Sequence, residues 1–149
     1  MKILKIQHPI LDDSRITYGF FTRSGGKSIK PYDTLNCSFN NEDASINVKE
    51  NLEMVRKELD LDTIIQINQV HSTDIITLNN RSVNYNFKEA DGLVTNLKGI
   101  GLSILGADCA PILFYDNVTN IIGALYGPGC EYQPAPAFPP WPGWGFVWG

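Results

Sequence analysis

The sequence predicts an α/β or α+β fold in which one domain forms a mixed β-sheet sandwich packed by helices. Strand-like segments rich in β-branched and aromatic residues outnumber helical ones. Several of them are uniformly apolar, which is typical of strands buried on both faces. The 149-residue chain is 43% hydrophobic and 19% charged, the composition and length of a single globular domain.

The first half of the chain contains one strand and one helix that the pattern predicts clearly. Residues 16–22 are β-branched and aromatic and run into a turn signal at residues 23–26. A polar loop follows over residues 30–45. Asn47 with Glu50 three positions later fits a helix start, with Asn47 as the N-cap. The helix carries one apolar stripe at helical spacing, formed by Val48, Leu52, Val55 and Leu59.

The second half is dominated by strands. Short apolar runs alternate with turn-like segments, and a polar turn at residues 116–120 separates the last two runs. The predicted strands cover residues 64–70, 74–78, 92–95, 100–105, 111–115 and 121–126.

Charge and targeting patterns narrow the class of function. The net charge is −4 and no Lys/Arg cluster is present, so we expect neither nucleic acid nor a membrane surface as a partner. No apolar run reaches the length of a bilayer span, and the first residues lack a signal-peptide pattern. Three cysteines without tight spacing do not make a disulfide framework. These features predict a cytoplasmic protein with reduced thiols.

The composition changes abruptly after residue 126. Residues 127–149 hold all three tryptophans and six of the nine prolines but no Leu, Ile, Lys or Arg. Residues 1–126 are therefore interpreted as domain sequence, and 127–149 as an atypical tail. The prolines predict neither a helix nor a central strand there. Two interpretations stay open, a Pro-rich ligand segment or a sequence not native to the protein, such as a frameshift product.

His71 and Cys109 are the residues whose chemistry is most suggestive. Each follows a predicted strand, at the rim of the sheet where functional groups gather. An imidazole and a thiolate suit Zn²⁺. The same pair also suits a nucleophile and its base. A third possibility is that Cys109 is a small buried side chain without a chemical role.

Three further residues are candidates beside this pair. Asp108 could hydrogen-bond a metal ligand or its own turn, and Asp91 in an Asp-Gly pair could be functional or a plain turn residue. Arg23, followed by Gly25 and Gly26, could clamp an anion with help from exposed backbone N–H groups, or it could be a surface arginine.

Taken together, five motifs resemble the bacterial YfiH family, also called the laccase-domain, polyphenol-oxidase-like or peptidoglycan editing factor family. The resemblance covers residues 16 to about 125. The motifs are YGFFTRSGG (18–26), PYDTLNCS (31–38), QVH (69–71), EADGLVT (89–95) and ADCAPIL (107–113).

The resemblance implies a cytosolic purine nucleoside enzyme with one zinc ion, which catalyses phosphorolysis with phosphate as co-substrate and also adenosine deamination. An older label of the family implies copper, and a peptidoglycan-precursor editing amidase is the alternative activity. By motif, His71 and Cys109 correspond to metal ligands and catalytic residues. Arg23, Asn36 and Asp91 correspond to substrate-binding positions.

The resemblance stops at the expected third metal ligand. The family has a His-Ala-Gly-Trp-Arg-Gly run where this chain has Tyr126 followed by Gly127 and Pro128. The sequence therefore looks like the first part of the domain, truncated at its C-terminal side. We therefore expect zinc to be held weakly, with Cys130 as a candidate replacement ligand. We also expect the chain to self-associate through the truncated sheet. An alternative to the enzyme function is that the chain is a catalytically dead fragment.

Overall fold

The computed structural model describes residues 3–106 and 110–127, together with the backbone of 144–148. The elements in this part of the chain are nine strands, one α-helix and a 3₁₀ helix at Pro9–Leu11. In chain order they are β1 (Lys5–Ile6), β2 (Tyr18–Phe21), α1 (Ser45–Glu58), β3 (Thr63–Gln66), β4 (Ile75–Leu78), β5 (Gly92–Thr95), β6 (Ile100–Gly106), β7 (Pro111–Asp116), β8 (Ile121–Tyr126) and β9 (Trp144–Trp148).

The strands form two mixed sheets. The first has the order β1-β2-β9-β6-β3 and the second the order β4-β5-β8-β7. β3 pairs with β6 in parallel, and so does β4 with β5, whereas the other pairs are antiparallel. The predicted mixed-sheet class is therefore confirmed.

The two sheets pack face to face around the main core. Leu102 and Ile104 of β6 lie in one buried cluster with Leu93 of β5 and Ala124 of β8, each with no exposed surface. Helix α1 covers the opposite face of the first sheet, where Val55 packs in a second cluster with Phe21. The layers are thus helix, sheet and sheet, and burying apolar side chains between them is the main stabilising term.

Helix α1 begins earlier than the capping pattern predicts. It starts at Ser45, and the N-cap position belongs to Ala44, which makes no side-chain cap. Asn47 is already within the first turn, where its side chain donates to Asp43 Oδ1 at 3.3 Å. The prediction of Asn47 as N-cap is therefore wrong. The stripe is confirmed, because Val48 and Val55 are buried on the face that meets the sheet.

The prediction that the tail contains no central strand is also wrong. β9 lies between β2 and β6 and pairs antiparallel with both. Its sequence is WGFVW, which follows the last proline of the chain and is rich in residues that favour strands. The restriction imposed by the prolines therefore ends at residue 142.

Strand bounds otherwise follow the prediction closely. The strands at 92–95 and 121–126 are confirmed at both ends. The run predicted at 64–70 gives a strand only over Thr63–Gln66. It ends early because Asn68 turns away and its N–H donates to the carbonyl of Lys88 at 2.9 Å.

Within the described ranges, no helix has the length and apolar character needed to cross a membrane.

Candidate active site

The candidate site lies where the parallel strands β3 and β6 end. Carboxyl ends of parallel strands meet at one sheet edge, so the segments that follow them are brought together. Gln69 joins these two segments through its side-chain amide. Its Nε2 donates to the carbonyl of Leu105 at 2.8 Å, and its Oε1 accepts the Leu105 N–H at 2.8 Å. The segment holding His71 is thereby fixed to the end of β6.

Cys109, the second predicted ligand, and Asp108 beside it lie outside the described residues, as does Cys130. The link through Gln69 reaches Leu105, and the described part of β6 ends at Gly106. Cys37, by contrast, is fully described as a free thiol within the second core cluster. Burial raises the pKa of its thiol to about 12, so Cys37 does not form a thiolate nucleophile near neutral pH.

Asp91 shapes the loop that carries His71. Its carboxylate accepts the backbone N–H groups of Val70, His71 and Ser72 at 3.3, 3.1 and 2.6 Å, and also the Ser72 hydroxyl at 3.0 Å. Three successive N–H groups can converge on one acceptor because His71 adopts a φ of 59°. That left-handed conformation is unfavourable for a residue with a Cβ, so the carboxylate compensates for local strain.

The same aspartate also places the residue that faces His71. The Asp91 carbonyl accepts the N–H of Tyr126 at 2.8 Å. The rings of Tyr126 and His71 lie edge to face, with centroids 5.3 Å apart. Asp91 itself is only 4% exposed, whereas His71 is exposed. The arrangement presents an imidazole to solvent beside a phenol, and the buried Asp91 fixes the backbone of both, His71 through its carboxylate and Tyr126 through its main-chain carbonyl.

Arg23 lies in a different loop and has a different partner. Its guanidinium is 3.5 Å from Asp33, and the side chain is 46% exposed. The expectation that Gly25 and Gly26 offer free N–H groups to an anion is wrong, because both donate to Thr34 Oγ1, at 2.9 and 3.2 Å. An anion at Arg23 would therefore not be held by these two N–H groups.

Asn36 is fully buried and organises its own loop. Its side-chain amide donates to Asn41 and Asp43, at 3.2 and 2.9 Å, and its Oδ1 accepts the Ser38 N–H at 3.0 Å. Hydrogen bonds from Ser28, Asn36 and Asn47 lower the pKa of Asp43, although burial works in the opposite direction. Asn36 thus holds the loop that borders the site.

A cavity of about 250 Å³ lies between this loop and the segment before His71. Ser38 and Asn40 line it on the loop side, and Asn68 and Leu105 line it on the side of β3 and β6. Asn40 Nδ2 donates to Asn68 Oδ1 at 3.1 Å and so links the two sides. Asn40 and Asn68 are isolated amides in polar segments and carry no signal of their own in the sequence, whereas Gln69 is marked only as part of the QVH motif.

The described side chains do not fit a tight zinc site. A catalytic zinc ion has three protein ligands, commonly imidazoles, thiolates and carboxylates. His71 provides one imidazole here, Tyr126 provides a phenol, which is a poor zinc ligand while it keeps its proton, and Asp91 is engaged by the loop N–H groups. Among residues 3–106 and 110–127, no group of three His, Cys, Asp or Glu side chains is placed to hold a metal ion.

Comparisons with known proteins show which family the chain belongs to. The family described as multi-copper polyphenol oxidoreductase laccase matches residues 17–127. The chain is 28% identical over 124 residues to the purine nucleoside phosphorylase YlmD of Bacillus subtilis, covering 77% of this chain and 45% of that protein. It is 32% identical over 124 residues to a purine nucleoside phosphorylase of Streptomyces coelicolor, covering 80% of this chain and 51% of that protein.

A solved structure gives the same result for the fold. The Bacillus licheniformis protein YfiH superposes with a TM-score of 0.72 at 27% identity, covering 83% of this chain and 48% of that one. The chain therefore spans about half the length of the relatives it matches. From these matches and the fold, the chain belongs to the laccase-domain family that includes YfiH and YlmD.

Proposed function

We propose that the site at the ends of β3 and β6 acts in the phosphorolysis of purine nucleosides. A phosphate oxygen forms a bond to the anomeric carbon of the ribose, the bond from that carbon to the purine nitrogen breaks, and the purine leaves with a proton. The observation that carries the proposal is the set of hydrogen bonds from the Val70, His71 and Ser72 N–H groups to the Asp91 carboxylate, which we call the Asp91 clamp. The clamp holds an exposed His71 beside Tyr126. The names of the relatives support the substrate class.

Each predicted residue has a proposed part in this reaction. His71 touches the substrate, and its imidazole supplies a hydrogen bond or a proton to the leaving purine. Arg23 holds the phosphate through its exposed guanidinium, in competition with Asp33. Cys109 acts in the same site, an assignment supported by motif and by the tie of Gln69 to the strand before it.

Asp91 and Asn36, predicted as substrate-binding residues, are proposed as positioning residues instead. Both are buried, and the polar side-chain atoms of both form hydrogen bonds with neighbouring loop residues. Asp91 sets the direction of His71, and Asn36 shapes the loop that borders the cavity. Neither role requires contact with the nucleoside.

We propose that zinc binds this chain weakly, through His71 and Cys109. An imidazole and a thiolate leave the ion to share its remaining positions with water, which costs affinity relative to three protein ligands. Adenosine deamination is the second reaction proposed for the site. The proposed setting is the cytoplasm, with a nucleoside and phosphate as partners and neither nucleic acid nor membrane, in keeping with the free thiol of Cys37.

The experiment that tests the proposal compares substrates on the purified chain. Adenosine and inosine are supplied with and without phosphate, and adenine, hypoxanthine and ammonia are quantified. Phosphate-dependent release of the base supports phosphorolysis, and ammonia release that does not need phosphate supports deamination. Turnover of a peptidoglycan precursor with no release of base would instead support the editing amidase. Turnover of none of these substrates would support the third alternative, a catalytically inactive chain.

A further inference from the structure

Two phenylalanines, the half-buried Phe39 and the exposed Phe87, line the cavity beside the proposed site and have no part in the reaction described above. Phe87 is 57% exposed, although it is among the largest apolar side chains. Its ring meets that of Phe39 edge to face, with centroids 5.5 Å apart and an angle of 87° between the ring planes. In such a pair the edge of one ring covers only one face of the other, and the exposed surface of Phe87 stays open to a third ring.

The backbone fixes Phe87 in this exposed position. Its φ is 61°, a left-handed conformation that is unfavourable for a bulky residue. The Phe87 N–H donates to the carbonyl of Gln66 at 2.8 Å, while Asn86 Oδ1 accepts the Gln66 N–H at 3.0 Å. The turn therefore takes the place of a neighbouring strand at the edge of β3 and directs Phe87 outward.

The two rings lie between adjoining cavities. One is the cavity of about 250 Å³ bordered by Asn40 and Asn68. The other, of about 200 Å³, lies against α1 and is bordered by Leu52 and Asn86. Phe39, Phe87 and Gln66 line both cavities. A flat ligand next to these rings would therefore meet side-chain amides at its edge.

We propose that Phe39 and Phe87 form a stacking platform for the purine base of a nucleoside, with the amides of Gln66, Asn68 and Asn86 facing the edge of the base. A purine has an aromatic face, which matches the phenylalanine rings, and carries hydrogen-bond donors and acceptors at its rim, which match the side-chain amides. Gln66 already donates to the carbonyl of Cys37 at 2.9 Å, so its amide is held in a fixed orientation. The choice of a purine rests on the proposed function, whereas the platform rests on the geometry.

The test measures adenosine binding to the 149-residue chain by calorimetry, with ribose as the comparison ligand. We expect adenosine to bind and ribose not to bind. Phe87→Leu should weaken adenosine binding roughly tenfold, the loss expected for one base stack, and Phe87→Tyr should retain it. The matched control is Phe114→Leu, since Phe114 is 49% exposed on β7 of the other sheet and borders neither cavity.

Three results would overturn the platform: no binding of adenosine, unchanged binding in Phe87→Leu, or equal losses in Phe87→Leu and Phe114→Leu. Base release, measured in parallel, separates this inference from the proposed function. Binding that depends on Phe87 without any base release supports the platform and counts against phosphorolysis. Base release with an unchanged KM in Phe87→Leu supports phosphorolysis and counts against the platform.

Discussion

At the scale of single residues, the proposed site depends on a buried carboxylate that binds backbone N–H groups and does not contact the substrate. Asp91 accepts three successive N–H groups and the Ser72 hydroxyl. Its own carbonyl meanwhile fixes Tyr126. In the proposed reaction, a carboxylate engaged in this way acts through the position of His71.

Asp91→Ala should therefore lower both stability and activity. Removing the acceptor leaves backbone donors unsatisfied and His71 in an unsupported left-handed conformation, so the free energy of unfolding should fall by roughly 2 kcal/mol or more. Asp91→Asn keeps one acceptor oxygen and should recover part of both losses. Thermal unfolding and base release are the measurements. Asp74→Ala, at an exposed aspartate nearby, is the control, and an equal loss in that variant would count against the clamp.

Tyr126 offers a separate test of the metal site. Tyr126→His places a second imidazole next to the ring of His71, now 5.3 Å from the phenol ring. We expect this variant to bind zinc more tightly than the unmodified chain, because imidazole is a far better zinc ligand than a neutral phenol. Metal content after purification and a zinc titration measure the difference. One tightly held zinc ion per unmodified chain would contradict the account.

At the scale of elements, a single side chain connects α1 to the loops around the site. Asn51 is fully buried. Its amide donates to Ser28 Oγ and to the Asn36 carbonyl at 2.9 and 2.8 Å, and its Oδ1 accepts the Lys27 N–H at 2.7 Å. The helix therefore holds the 23–38 loop through polar bonds as well as through apolar packing.

Asn51→Leu has nearly the same size but removes these bonds. We expect the free energy of unfolding to fall by about 2 kcal/mol or more, because several buried partners lose their hydrogen bonds at once. Denaturant unfolding is the measurement, and Glu50→Leu at an exposed position of the same helix is the control. If the two variants are equally stable, Asn51 does not hold the loop.

The elements also show how far the sequence predicts the structure. Periodicity identifies α1 and the strands, because an element buried on one face has apolar residues at a regular spacing in the sequence. The clamp of His71 by Asp91 joins residues distant in sequence through backbone N–H groups, which have no pattern of their own. The family motif assigns Asn36 to substrate, whereas its burial depends on the packing of the whole loop. The proline content of the tail as a whole predicts no central strand, whereas β9 begins after the last proline.

At the scale of the whole molecule, the second sheet has an apolar outer face. Ile75 and Ile112 lie in one row across its strands, and Phe114 lies in the next. These three side chains are 54%, 42% and 49% exposed. Exposed apolar surface of this kind favours association, so we propose this outer face as a contact, in addition to the truncated sheet that the sequence predicts.

Phe114→Lys should weaken self-association, since it places a charge on this face, at its β7 edge. Val118→Lys is the matched control, because Val118 is 84% exposed in the turn after β7 and lies off the face. Light scattering over a range of protein concentrations measures the mass of the species. A monomer at all concentrations, or equal effects of the two lysines, would contradict association through this face.

The most direct test of the central claim is phosphate-dependent release of adenine or hypoxanthine by the chain and by two histidine variants. The account predicts release by the unmodified chain and by His8→Ala, in which the only other histidine is removed. It predicts a loss of about a hundredfold or more in His71→Ala, the range for a general acid or base. No release by the unmodified chain, or equal release by both variants, would contradict the assignment of the site to His71.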